Sequence, residues 1–240
     1  FFFFSIFIYI KIYSNRRQSV YNKGGGIYSR GTLILEDVEI SGNTVRGDEG
    51  GGIYAEGILS LNKVLISDNN LIYPPTGYND DCNGGGISYR TEGYYIYPDY
   101  YLQIVNSTIV NNQICQYTYS KGAGVYIVDY QNDTGLIGNM GWSNAVIFNS
   151  IIWGNNGSGS NQIYFWKIIS NLTNSLIVDH SNIQNGISGI DNLYGELVWG
   201  GGNINSNPLF LNTNSQNYML SETSPCINAG DISLTYGHNS

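Results

Sequence analysis

Residues 24–43 read GGGIYSRGTLILEDVEISGN, and residues 50–69 read GGGIYAEGILSLNKVLISDN. A chain that restates itself at so short an interval builds one structural unit repeatedly and stacks the copies. Gly-rich starts recur at Gly24, Gly50, Gly84 and Gly122, each reading GGGI or GAGV. A second phrase follows each start: LEDVEISGN from Leu35, LNKVLISDN from Leu61, IVNSTIVNN from Ile104 and IFNSIIWGN from Ile147. Its fixed points are an Ile (Ile40, Ile66, Ile109, Ile152) and, three residues on, an Asn (Asn43, Asn69, Asn112, Asn155).

Inside the phrase, apolar residues alternate with polar ones, as in Val38 and Ile40 or Val64 and Ile66. Period two marks a strand with one buried face. No stretch shows a sustained helical period. The expected fold is therefore all-β: a right-handed parallel β-helix of about five to six coils, over residues 19–190. Residues 191–240 read as an irregular segment of the same domain, packed on or capping the helix. In a parallel stack, equal positions of successive coils lie about 4.8 Å apart. The Ile positions then form a buried column. The four Asn form an amide ladder, each side chain donating to the next. Glycine at each start opens turn conformations and lets neighbouring backbone approach closely. A phosphate-cradling glycine loop fits less well, because no Lys-Ser/Thr ending follows.

The opening run FFFFSIFIYIKIYSNRRQ is set aside from the fold, as residues 1–18. It is too short to span a bilayer. Its basic residues follow the apolar run instead of preceding it, so it reads as a signal remnant or as a mis-called start. Composition narrows the function classes. Only 12% of residues are charged and the net charge is −8. A basic stripe for a phosphate backbone is missing, which argues against nucleic acid. The acidic balance also argues against an anionic membrane surface.

The repeat GGGIYSRGTLILEDVEISGNTV resembles those of right-handed parallel β-helix proteins of the pectin-lyase-like superfamily. It also resembles the polymorphic outer-membrane-protein repeats of bacterial surface proteins. Further on, NINSNPLFLNTNSQNYMLSETSPCINAGD, residues 203–231, resembles the tail of choice-of-anchor Q domain proteins. Together these resemblances imply a secreted or surface-exposed β-helix. They do not imply one activity, because the superfold hosts lyases, hydrolases, adhesins and passive spikes.

Insertions separate the repeats in two slots, one after the Asn and one after the Gly-rich strand. Cys82 and Cys115 fall in the same slot of adjacent coils, where a disulfide between them is geometrically feasible; two free thiols are the alternative. The insertion ISYRTEGYYIYPDYYLQ gathers Tyr94, Tyr95, Tyr97, Tyr100 and Tyr101 near Arg90. Such rings can stack on sugar faces, or can simply pack the loop onto the coils. Asp48, Glu49, Asp80 and Asp81 precede Gly-rich strands of adjacent coils and could hold a calcium ion. Otherwise they form a solvated acidic corner. No other cofactor is expected.

The string NDDC, residues 79–82, resembles part of the polygalacturonase signature, but neither its Gly-His-Gly nor its Arg-x-Lys follows. No catalytic constellation is evident. The expectation is a monomeric, secreted or cell-surface module, structural or carbohydrate-recognising. The alternative is a polysaccharide lyase or glycoside hydrolase acting on an acidic polysaccharide.

Overall fold

The structure is a computed structural model. It describes residues 11–12, 23–72, 82–92, 101–116, 119–130, 145–157, 161–167 and 175–234. The chain winds as a parallel β-helix whose coils present three faces. The first face stacks six strands in register. They begin at Ile27, Ile53, Ile87, Val125, Ile163 and Ile190. The second stacks residues 32–36 and 58–62 with Tyr101–Val105, Ala145–Phe148, Ser175–Asp179 and Glu196–Trp199. The third stacks Glu39–Ser41, Leu65–Ser67, Thr108–Val110, Ile151–Trp153 and Asn182–Ile183. Lys11–Ile12, inside the stretch set aside on sequence grounds, pairs with Glu39 and Ile40 at the end of this third sheet. The described residues form six coils, and strands of the last one run to Trp199, with a bridge at Ile204.

The register explains the repeat. Ile40, Ile66, Ile109, Ile152 and Ile183 are direct partners and all lie fully buried. Each such side chain contributes about 1.5–3 kcal/mol relative to exposure. Parallel columns of Ile53, Ile87 and Val125, and of Leu61, Ile104 and Ile147, complete one continuous core.

Left-handed backbone recurs at three points around the coils, besides the positive-φ Gly31 and Gly57 between the first and second faces. Gly24, Gly50, Gly84 and Gly122 open the first face with φ between +61° and +72°. Asp37, Lys63, Asn106, Asn149 and His180 turn from the second face into the third. Gly42, Asp68, Asn111, Gly154 and Asn185 end the third. Glycine, Asn and Asp tolerate this conformation best, which explains their heavy use. At Gly86 close packing adds a second constraint. A Cβ there would sit 2.6 Å from the Gly124 carbonyl oxygen of the next coil.

Two interior ladders tie the coils. The Asn43 amide donates to Asn69 Oδ1 at 2.8 Å, Asn69 to Asn112 at 2.9 Å, and Asn112 to Asn155 at 2.9 Å. Each accepting oxygen also takes the backbone N–H of the preceding rung. Asn155 in turn donates to Gln162 Oε1 at 2.8 Å, so a glutamine closes the ladder where the fifth coil has no Asn. Beside it, Ser107, Ser150 and Ser181 accept backbone N–H groups of the preceding coil through their hydroxyls, at 3.1 Å each.

Cys82 and Cys115 are joined by a disulfide, with Cα atoms 5.7 Å apart. The segment after Ile204 does not continue the coils. It returns along the outer side of the third sheet as a hairpin, Phe210–Asn212 with Asn217–Leu220, followed by turns. Tyr218 donates to the Asp68 carboxylate at 2.7 Å, and Asn149 clasps the backbone of Asp231 through two 2.9 Å hydrogen bonds. No helix among the described residues is long and apolar enough to cross a membrane.

Candidate binding face

In the first sheet, Ile27 and its partners point inward, so the next residue of each strand points out. That outward row is Tyr28, Tyr54, Ser88, Tyr126, Tyr164 and Asp191. The row beside it, two residues on, includes Arg30, Glu56, Arg90 and Trp166. Parallel register places like residues at the strand spacing, and the rings stack accordingly. Tyr28 lies on Tyr54 with centroids 5.2 Å apart, and Tyr126 on Tyr164 at 5.4 Å, the ring planes of each pair nearly parallel. Tyr28 is 48% exposed, whereas Tyr54 is fully buried beneath it.

Charges interleave with the rings. Lys23 Nζ sits 4.5 Å from the Tyr54 centroid and donates to its hydroxyl at 3.0 Å. Tyr54 passes the chain on by donating to Glu56. Glu56 pairs with Arg30 at 2.9 Å, and this carboxylate raises the guanidinium pKa above its ordinary value. The Arg30 guanidinium also lies 5.7 Å from the Tyr28 ring. Lys121 lies over Tyr164 and 3.9 Å from Asp191. Cations over aromatic faces gain about 0.5–2 kcal/mol, depending on exposure.

Ser88 breaks the tyrosine row, and the gap is filled by ions. The buried Glu49 carboxylate accepts from Ser88 Oγ at 3.3 Å, pairs with Arg90 and lies 3.8 Å from Lys23. The Arg90 guanidinium also lies 5.7 Å from the Tyr126 ring. Arg90 is therefore placed on this face, held by Glu49. Asp48, just before it, uses its backbone carbonyl to accept from Asn83 N at 2.8 Å. Two cations beside Glu49 oppose a calcium ion there by direct repulsion. Asp80 and Asp81 lie outside the described residues. Among the described residues, no three His, Cys, Asp or Glu side chains gather as a metal site.

Tyr94, Tyr95, Tyr97 and Tyr100 also lie outside the described residues. Their segment begins immediately after the strand that carries Arg90. Tyr101 opens a second-face strand beside Ile58 and is half-buried, away from the tyrosine row. The sequence reading concentrated on the loop tyrosines and missed Tyr28, Tyr54, Tyr126 and Tyr164. The signal was available, because Tyr follows the first aliphatic residue in GGGIY, GGGIY, GAGVY and NQIY.

The arrangement can offer ring faces, one of them open, beside donors and acceptors whose charges are already matched. That suits recognition of a ligand with apolar faces and polar edges. A base for proton transfer is less well provided for, since Glu49 and Glu56 are both engaged by cations. The Chlamydia polymorphic membrane protein repeat matches residues 37–56 of the chain. No curated protein and no solved structure matches it. The matched stretch runs from one interior corner through the ladder residue Asn43 and the next Gly-rich start, so what the chain shares with that repeat is the boundary between two coils of a parallel β-helix.

Proposed function

We propose that this chain is the β-helical part of a surface-associated protein, and that the tyrosine row on its first sheet recognises carbohydrate. The membrane-protein repeat over residues 37–56 supports the location. One observation carries the recognition: the half-exposed Tyr28 ring, held flat on Tyr54 and flanked by Arg30 and Lys23. A sugar ring presents C–H groups to such a face and hydroxyls to its rim. Among the described side chains of this face, Lys23, Arg30, Arg90 and Lys121 stand against Glu49, Glu56 and Asp191. Local charge is thus near balance in a chain of net charge −8, so acidic as well as neutral glycans can approach.

A panel of plant, algal and bacterial polysaccharides tests the proposal. Binding by the purified chain should fall about tenfold in Tyr28→Ala, the loss of roughly one stacking contact with its cation. Binding indifferent to Tyr28→Ala and Arg30→Ala would refute it. Release of new reducing ends, with or without calcium, would instead favour a lyase or hydrolase.

A further inference from the structure

A separate groove lies at the corner between the second and third sheets, away from the tyrosine row. Its floor includes the turn residues Asn106, Asn149 and His180 of successive coils, with Asn62 at the end of the strand just before the corresponding turn residue, Lys63. Its wall is the C-terminal segment, including Leu220, Asn228 and Asp231. The cavity between them measures about 720 Å³, inside the usual range for small-ligand sites. Its shape is set by two tethers. Asn149 clasps the backbone of Asp231, and Asn182 both donates to the Ser206 carbonyl at 2.7 Å and accepts from Ser206 N at 3.2 Å. The wall is therefore held at fixed points rather than packed flat along the coils.

The lining restricts what could occupy it. Among the described residues no Lys or Arg lines it, while Asp231 does. Hydrogen bonds from Ser233 N and Oγ hold the Asp231 carboxyl below its ordinary pKa, so it stays ionised. An anion would meet this carboxylate with no cation to offset it. His180 is fixed by Asp179 at 2.7 Å and by close packing on Gly202, where a Cβ would lie 2.2 Å from the ring. The second to fifth coils each bring one amide to the lining, Asn62, Asn106, Asn149 and Asn182; Asn106 Nδ2 donates to Asn62 Oδ1 at 3.0 Å, and Asn149 holds Asp231. An amide can take part in up to four hydrogen bonds, so each keeps capacity beyond the bonds it makes here. Ile151 and Leu220 supply apolar patches between them.

We propose that this groove is a second binding site, taking a neutral oligosaccharide whose successive hydroxyls meet the per-coil amides. It is independent of the tyrosine row. The test is a titration of the isotope-labelled chain with neutral hexasaccharides of glucose, xylose, mannose and N-acetylglucosamine, followed by backbone amide shifts. At least one should move the amides of Asn106, Thr108 and Asn228 saturably, equally well in Tyr28→Ala. Thr108→Arg, which fills the floor, and Ala229→Trp, which fills from the wall, should each weaken that response at least tenfold while distant amides stay in place. The proposal is overturned if no hexasaccharide moves these amides, or if both filling variants bind as tightly as the parent. It is equally overturned if an uncharged alanine peptide moves them and the sugars do not. Loss of sugar binding in Tyr28→Ala alone would speak only for the tyrosine row and against this groove.

Discussion

Changing Asn112 to Ala removes the middle rung of the buried amide ladder. The Asn112 side chain takes part in four hydrogen bonds: it donates to Asn155 Oδ1 and to the Ile66 carbonyl, both at 2.9 Å, and accepts from Asn69 N at 3.1 Å and Asn69 Nδ2 at 2.9 Å. The losses are unequal. Asn155 Oδ1 still accepts from Asn112 N, and Asn69 Nδ2 still donates to the Ile40 carbonyl. The Asn69 backbone N–H loses its acceptor in a dry interior. An orphaned buried donor costs about 1–3 kcal/mol, and the other lost bonds about 1 kcal/mol each where not replaced. The sum is about 3–5 kcal/mol, a large share of a typical stability of about 5–15 kcal/mol. Urea unfolding should therefore show a midpoint lower by about 1–2.5 M, taking a slope of about 2–3 kcal/mol/M. Asn106→Gly is the control, because glycine keeps the left-handed backbone of that corner. It too deletes an amide-to-amide bond between coils, to Asn62 at 3.0 Å, but in an exposed pair. It should cost about 0.5 kcal/mol or less. If the two variants unfold alike with unchanged slopes, burial of the ladder is not what makes it stabilising, and the reasoning fails.

The remaining predictions concern the covalent tie and the returning segment. The Cys82–Cys115 bridge closes a separation of 33 residues. Removing it, as Cys82→Ser with Cys115→Ser, should cost about 3–4 kcal/mol on chain-entropy grounds, read as a lower unfolding midpoint that added reductant no longer shifts. Tyr218 has its pKa raised, first by burial and then by its hydrogen bond to Asp68. The folded state thus favours the neutral phenol. Its contribution is complete below the ordinary tyrosine value of about 10 and is lost as pH rises toward the higher folded value. Hydrogen exchange of Phe210–Leu220 should accelerate in that alkaline window in the parent. Tyr218→Phe should exchange faster at neutral pH and show no such alkaline step. An alkaline step that survived in Tyr218→Phe would remove Tyr218 as its cause.

Much of this molecule was written in its spacing. The Ile column and the Asn ladder follow from two residue types three apart, repeated, because parallel stacking turns sequence period into physical contact between like residues. The left-handed corners follow from Gly, Asn and Asp at fixed offsets, since few other side chains tolerate that backbone. Other features needed the third dimension. That Gln162 would close the ladder depends on its side chain reaching across a corner to Asn155, which no period announces. That Arg90 would be held by Glu49 depends on which charges two coils bring to one outer face. That the C-terminal segment would lie along the third sheet was decided by tethers as far apart in sequence as Asp68 and Tyr218, or Asn149 and Asp231. Repetition determines contacts between equal positions of neighbouring coils. Where unlike positions meet, only the folded chain sets the partner, because those meetings are ruled by the shape of the whole stack.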